Sequence, residues 1–153
     1  MGIGAYLNAK PQIRYLFGPV SMPDHYPSAA KSLITHYYQS HFASQQTLAT
    51  ARTPYVNPQE NPFAGLDRQF EMRQLREQLK PLNVSIPALY KHYVDLCEPT
   101  GAIVLAYNID PDFNNCIDAF MLVDRQLIKP KKAARYIHRH QHTHDHQALQ
   151  QVI

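Results

Sequence analysis

Two apolar runs separated by a short polar segment place the strongest constraint on the fold of this chain. The runs are AIVLAYNI at 102–109 and CIDAFMLV at 116–123, and the segment between them at 110–115 reads DPDFNN. Asp, Pro and Asn favour turns because each supports backbone conformations that interrupt a strand. The pattern therefore predicts two neighbouring strands joined by a β-hairpin or a wider β-connection.

Elsewhere the sequence predicts one further strand and several helices. The run IRYLFGPV at 13–20 predicts a strand that ends or bulges at Gly18-Pro19, because proline cannot donate to a sheet ladder. Apolar residues at a helical period, bounded by capping residues and prolines, predict helices at 28–43, 67–80 and 87–97. Together these elements predict a mixed α/β layer.

Three further features refine this prediction. Ser28 is the predicted N-cap of the first of these helices, and Asp67 begins the second. The third helix places Leu89, Tyr93 and Leu96 on one face. The segment 44–66 is polar, contains three prolines and has no periodic pattern, which is typical of a functional loop or lid, or of a mobile insertion.

The first residues, MGIGAYL, contain a Gly-x-Gly that excludes two familiar motifs. A dinucleotide-binding fingerprint needs a third glycine where this chain has Leu7, and it must follow a strand. N-myristoylation needs Ser or Thr where the chain has Tyr6. What remains at Gly4–Leu7 is the predicted end of an amphipathic helix.

Composition predicts one domain with a substantial core. The chain has 153 residues, a hydrophobic fraction of 44% and a formal charge of +3, and this mild charge permits an acidic partner without requiring one. No stretch approaches the ~18–20 apolar residues that span a bilayer. Two cysteines do not form a disulfide framework, which predicts a cytoplasmic protein with at most a peripheral membrane contact.

Asp118 is the first candidate for chemistry. Strand alternation in 116–123 places it on one face with apolar neighbours. A carboxylate in such surroundings can bind an amine or act as a base, because low polarity raises its pKa. The alternative is a strand-end residue that caps the adjacent turn or stays solvated.

Two tyrosines and two cysteines offer further candidates. Tyr37 and Tyr38 lie within one predicted helix, so at least one must point inward, and a tyrosine hydroxyl beside a leaving thiolate can act as a general acid. The alternative is that both belong to the core. Cys97 and Cys116 are candidate nucleophiles, but neither has an adjacent histidine, which favours buried and inert thiols.

The C-terminal residues are basic and then rich in histidine. Lys129, Lys131, Lys132, Arg135 and Arg139 form the densest basic patch, which suits anionic lipid headgroups or an acidic carrier protein, or is simply solvated. No RNA motif or zinc-finger spacing accompanies it, so no nucleic-acid partner is predicted. The sequence predicts a domain at 1–128 followed by a flexible tail at 129–153.

The histidines in that tail have a spacing that could bind zinc or nickel if the tail is helical. The compositional alternative is a solvated tail with only adventitious metal affinity, and no metal site is predicted. The five histidines are His138, His140, His142, His144 and His146.

Three segments resemble a bacterial family of GNAT-fold N-acyltransferases, often labelled hemolysins and similar to the ornithine-lipid type of enzyme. They are RYLFGPVSMPDHYPSAAKSLITHYY, PALYKHYVDLCEPTGAIVLAYNIDPDFNNCIDAFMLVD and LIKPKKAARY. The resemblance runs from about Gly2 to Tyr136 and corresponds to the C-terminal half of such proteins. It implies a GNAT-like mixed sheet with flanking helices whose N-terminal strands and phosphate-binding loop precede residue 1.

The resemblance also implies an activity. Such enzymes transfer a fatty acyl group from an acyl thioester, on acyl carrier protein or CoA, to an amine in membrane-lipid synthesis, with no other cofactor. The candidate positions are Asp118, Tyr37 and Tyr38 for catalysis and Ser21 and Asp112 for substrate binding. The alternative is a non-catalytic remnant or binding module that docks a carrier protein, a partner half or a membrane surface.

Overall fold

The computed structural model describes residues 3–137, which form five helices and three strands. Two short 3₁₀ turns, Lys80–Leu82 and Arg125–Leu127, follow α3 and β3. In chain order the elements are α1 (Ile3–Ala9), β1 (Tyr15–Met22), α2 (Ser28–Phe42), α3 (Arg68–Leu79), α4 (Ala88–Leu96), β2 (Ala102–Asp110), β3 (Cys116–Asp124) and α5 (Pro130–Tyr136).

The predicted hairpin is confirmed. β2 and β3 pair in antiparallel orientation from Asp110 opposite Cys116 onward, with a register shift between Val104 and Ala106. In the turn, Asn114 and Asn115 have φ angles of 55° and 53°. This left-handed conformation is one that asparagine tolerates better than most residues, which explains why these two residues join the strands.

The strand β1 pairs with β3, giving a three-stranded antiparallel sheet in the order β1-β3-β2. The prediction that the strand ends or bulges at Gly18-Pro19 is wrong, because β1 continues in regular register to Met22. Pro19 is tolerated there because β1 lies at the edge of the described sheet, where one row of backbone groups needs no partner strand.

One face of the sheet, called here the inner face, packs against helices α2, α3 and α4. Val20, Met22, Ile117, Ala119 and Met121 from the strands join a single buried cluster with side chains of these helices. The alternation predicted for β3 is therefore confirmed. The opposite, outer face is more open, since its Phe17 side chain is 70% exposed and packs edge-on against Phe120.

The helix ends agree with the prediction in part. Asp67 caps α3 by accepting hydrogen bonds from the amides of Gln69 and Phe70. Ser28, in contrast, does not cap α2, because the extended residue before the helix is Pro27 and Ser28 already lies within it. α3 does not stop sharply at Pro81 but tightens into the 3₁₀ turn Lys80–Leu82.

The long segment 44–66 contains no helix or extended strand, as predicted. It is nevertheless anchored along β2, where the amide of Tyr55 donates to the carbonyl of Tyr107 and the amide of Ile109 donates to that of Thr53. At the other end of the chain, Pro130–Tyr136 form α5 and Ile137 is buried. The structure thus places these residues in a packed helix rather than in the flexible tail predicted from 129.

Candidate functional site

A polar row crosses the sheet at the end where the hairpin turns. Ser21 of β1 lies directly opposite Asp118 of β3, and Asn108 of β2 lies opposite Asp118 on the other side. Directly opposed residues in an antiparallel sheet share a face. The sheet therefore brings together Ser21 and Asp118, two of the residues that the sequence analysis selected.

A cavity of about 520 Å³ adjoins this row and is called here the hairpin-end cleft. Ser21 and Asp112 both line it, so the two predicted substrate-binding residues meet in one place. Cys116 is also in its wall, and its Sγ donates to Asp118 Oδ1 at 3.5 Å. Burial and the neighbouring Asp118 raise the pKa of the Cys116 thiol, which keeps it protonated and able to donate.

Negative charge dominates the polar groups of the hairpin-end cleft. Asp24 and Asp112 line it with exposed side chains, and Asp118 stands beside it, half-buried. Asp24 is partly neutralised by Lys31 at 3.2 Å, which leaves Asp112 and Asp118 as carboxylates without an ion pair in the described part of the chain. Such an arrangement can hold an ammonium group and accept a proton from it.

The two predicted catalytic tyrosines lie elsewhere. Tyr37 and Tyr38 are 1% and 0% exposed, so both point inward, and neither lines the hairpin-end cleft. The Tyr37 hydroxyl donates to the Arg68 carbonyl at 3.0 Å, whereas the Tyr38 hydroxyl has no partner among the described residues. Burial raises the pKa of Tyr37 to about 12 and that of Tyr38 further still.

Tyr90 of α4 belongs to the same buried cluster as the two tyrosines. Its ring lies 4.9 Å from that of Tyr38, and its hydroxyl also has no partner among the described residues. The pKa of Tyr90 is raised by burial first, and then by Tyr38, Asp118 and Cys116.

A buried pair that the sequence analysis did not select joins α2 to α3. His41 Nε2 lies 2.6 Å from Glu71 Oε2, and the side chains are 5% and 7% exposed. Sequence gives little signal for such a pair, because a glutamate in a strongly charged helix is expected to be solvated.

A groove between α3 and α4, with a volume of about 600 Å³, is a second site that the sequence analysis missed. We call it the basic groove, because five cationic side chains line it. They are Arg68, Arg73, Arg76, Lys91 and Lys129. The charges of α3 are visible in the sequence, but the pairing of α3 with α4 that collects them is not.

The predicted partner-binding patch is divided by the fold. Lys129 and Lys132 both pair with Asp95 of α4, at 3.5 and 2.5 Å, and hold α5 in place. The hydrogen bond from Lys132 is the main cause of a lowered Asp95 pKa. Lys131 and Arg135 remain exposed.

The remaining predictions concern thiols, metals and membranes. Cys97 and Cys116 are free and buried, and burial raises the pKa of Cys97 to about 11, which fits the inert interpretation. Within residues 3–137 no group of three His, Cys, Asp or Glu side chains could hold a metal ion; the histidines from 138 onward and Arg139 lie outside the described residues. No helix in the described range has the length and apolar character needed to cross a membrane.

The chain is similar to two curated proteins named glycine N(alpha)-acyltransferase. It is 24% identical over 141 residues to the protein of Phocaeicola vulgatus and 23% identical over 141 residues to that of Bacteroides thetaiotaomicron. Each alignment covers 89% of this chain but only 43% and 41% of the relative, so the chain spans less than half their length. No protein-family model and no solved structure matches.

These relatives support an acyltransferase relationship. The observed mixed α/β architecture, with a three-stranded antiparallel sheet and flanking helices, is consistent with the GNAT-like fold predicted from the sequence. Neither relative carries the hemolysin or ornithine-lipid label, so that finer assignment stays a prediction.

Proposed function

We propose that this chain takes part in N-acyl transfer, in which an acyl group moves from a thioester to an amine. The observation that carries the proposal is its similarity to two glycine N(alpha)-acyltransferases along 89% of its length. The hairpin-end cleft supports the same reaction, because it offers carboxylates to an amine. We assign the amine acceptor to this cleft.

In the proposed reaction, Asp118 and Asp112 hold the acceptor as an ammonium ion, and Asp118 takes one of its protons. The freed nitrogen lone pair attacks the thioester carbonyl carbon, an N–C bond forms, and the C–S bond breaks. The leaving sulfur takes a proton and departs as a thiol, while the amide nitrogen loses its second proton. Ser21, opposite Asp118, is placed to orient the acceptor by hydrogen bonding.

The tyrosines are the predicted acids for the leaving thiolate. Their raised pKa values keep both hydroxyls protonated at neutral pH but also make each a weaker acid than an ordinary tyrosine, which counts against this role. Neither lines the hairpin-end cleft, and the Tyr38 and Tyr90 hydroxyls have no hydrogen-bond partner among the described residues, so no chain of hydrogen bonds joins Tyr38 to Asp118 there. We propose Asp118 as the first catalytic residue, with Tyr37 and Tyr38 as candidates that a separate test must examine.

The donor is proposed to be an acyl thioester on acyl carrier protein or CoA. Both carry anionic groups, and the basic groove together with exposed Lys131 and Arg135 offers complementary charge. A role in membrane-lipid synthesis, with peripheral contact to the inner membrane through the same cations, is the finer form of the proposal.

A second candidate function is a binding module without catalysis. The basic groove favours it specifically, because none of Arg73, Arg76 and Lys91 forms an ion pair among the described residues. Cations without internal partners are available to an acidic carrier protein. In this case the chain would bind that partner with no transfer.

The test measures thioester-dependent acylation of glycine, ornithine and lysine by the purified chain, with acyl carrier protein and CoA donors supplied separately. We expect Asp118→Asn to lower the rate ~100-fold or more, as removal of a general base does, and the exposed control Glu60→Gln to leave it unchanged. An unchanged rate in Asp118→Asn would overturn the catalytic assignment. Carrier-protein binding without transfer to any amine would favour the binding module.

A further inference from the structure

An apolar cavity of about 520 Å³ lies between β1, α1, α4 and α5, on the other side of α4 from the basic groove. Its floor consists of buried side chains from four elements or their flanks. They are Leu7, Met121, Val123, Ile128 and Ile137. The volume falls within the ~300–1,000 Å³ of typical ligand sites. This cavity has no part in the acceptor chemistry described above.

The mouth of the cavity differs from its floor. Leu89 and Tyr136, 51% and 38% exposed, stand at the opening, and Phe17, whose side chain points to the outer face of the sheet, lines its edge. His92 also stands at the mouth, with its ring 5.9 Å from that of Tyr136. The mouth is therefore open and mostly apolar, with His92 as a polar side chain beside it, whereas the floor is buried and apolar.

A glycine keeps the wall of the cavity open. Gly18 lies opposite Met121 in the sheet and shares its face, and a Cβ built on Gly18 would meet no atom within 4 Å. Any larger side chain at this position would extend into the space that the cavity now offers. Leu89 and Leu96, which the sequence placed on one helical face with Tyr93, form the opposite wall.

We propose that this cavity binds the hydrocarbon chain of a fatty acyl group, with the polar head of the ligand at the mouth beside His92. A ligand with a single polar end and an apolar tail fits the buried apolar floor, with its polar end beside the His92 imidazole at the open mouth. The choice of an acyl chain over another amphiphile rests on the proposed acyl transfer. The binding itself can be measured without any turnover.

The experiment uses the full chain and a dansyl-labelled fatty acid displaced by unlabelled fatty acids from octanoate to palmitate. We expect the dissociation constant to fall roughly fourfold for each added methylene until the cavity is filled, since burial of one CH₂ contributes about that much to affinity. Gly18→Leu, which fills the cavity, should weaken binding at least ~10-fold while the circular dichroism spectrum is unchanged. Displacement that does not depend on chain length would overturn the proposal.

A pair of surface leucines supplies the matched control. Leu89→Asp places a charge at the mouth, whereas Leu48→Asp changes a leucine of similar exposure, 57%, that does not line the cavity. Both positions are exposed, so both variants should fold, and only Leu89→Asp should weaken binding. Equal binding by the two variants would overturn the assignment of the mouth.

Other occupants give distinct results. If the face instead binds a second copy of the chain, sedimentation will show a dimer that Gly18→Leu dissociates, and no fatty acid will bind. If the fatty acid binds with chain-length dependence but no amine is acylated, the cavity assignment stands and the proposed transfer fails. If transfer occurs at an equal rate in Gly18→Leu and no fatty acid binds, the transfer stands and the cavity assignment fails.

Discussion

His41 Nε2 lies 2.6 Å from Glu71 Oε2 in a buried contact between α2 and α3. The other carboxylate oxygen accepts hydrogen bonds from the backbone amides of Ala64 and Gly65, at 3.0 and 3.1 Å. Glu71 therefore holds the end of segment 44–66 against both helices. A buried carboxylate with three donors is well satisfied, and removal of its charge leaves those donors with a weaker acceptor.

We expect Glu71→Gln to lower the melting temperature clearly. The amide keeps the shape of the side chain but loses the negative charge, so the hydrogen bonds from His41 and the two backbone amides are no longer charge-assisted. The control is Glu77→Gln on the same helix, whose pair with Lys80 is exposed, at 66% and 69%, and contributes little. Thermal unfolding followed by circular dichroism tests the difference, and equal melting temperatures would contradict it.

Stability should also fall in acid. Burial alone would raise the pKa of Glu71, but the hydrogen bonds from His41 and Gly65 outweigh it and the net pKa is lowered from its ordinary 4.5. The hydrogen bond from Arg14, with Nη2 2.8 Å from Oδ2, is the largest cause of a lowered Asp124 pKa. A lowered folded-state pKa gives stability that is complete above the unfolded value and is lost as pH falls through the folded one.

Urea unfolding at a series of pH values measures this loss. We expect a constant midpoint between about pH 7 and 5 and a decline below about pH 4.5. Asp124→Asn should destabilise the chain by roughly 1–3 kcal/mol near neutral pH and make the decline shallower, because one of the titrating groups is gone. An equally steep decline in the variant would show that Asp124 does not contribute to it.

The parts of the fold that the sequence predicted are those with local causes. The asparagines and aspartates of 110–115 specify the turn, and Asp67 specifies the start of α3, because each acts on backbone groups within a few residues. The end predicted at Gly18-Pro19 failed because tertiary position decided it: a proline that would break a central strand is tolerated in β1 at the edge of the described sheet.

The candidate site likewise combines features that follow from local sequence with others that depend on tertiary contacts. Strand alternation identified the face of Asp118, and the pairing of β1 with β3 then placed Ser21 opposite it, a long-range contact that the spacing does not encode. The pair of His41 with Glu71 and the five cations of the basic groove come from helices that meet only after folding. No local pattern marks which charged residues of α3 become buried and which line a groove.

Substitution of Gly101 and Gly18 by alanine should have opposite or clearly different effects on the free energy of unfolding. A Cβ on Gly101 would lie 2.6 Å from the Leu127 Cβ and 2.7 Å from the Cys97 Cβ, so Gly101→Ala forces well-packed atoms apart and should cost about 1–3 kcal/mol. Gly18→Ala adds a methyl group where nothing lies within 4 Å, and should be neutral or slightly stabilising because glycine weakens a strand. Free energies of urea unfolding measure both, and equal losses would contradict the difference in packing.

Changing each of the adjacent tyrosines Tyr37 and Tyr38 to phenylalanine should have different effects on the free energy of unfolding. Tyr37→Phe removes a hydroxyl that donates to the Arg68 carbonyl and should cost about 0.5–1.5 kcal/mol. Tyr38→Phe removes a buried hydroxyl without a partner among the described residues, so it should be neutral or stabilising. A large loss of stability in Tyr38→Phe would contradict this expectation.

The acylation rates of the same two variants then distinguish packing from proton donation. A tyrosine that only packs changes the unfolding free energy and leaves the rate per folded molecule unchanged. If the Tyr38 hydroxyl supplies the proton to the leaving sulfur, Tyr38→Phe will lower kcat by ~100-fold or more, as loss of a general acid does, while the KM for the amine stays constant. An unlowered rate in a fully folded Tyr38→Phe would remove this residue from the catalytic candidates and leave Asp118 and Tyr37.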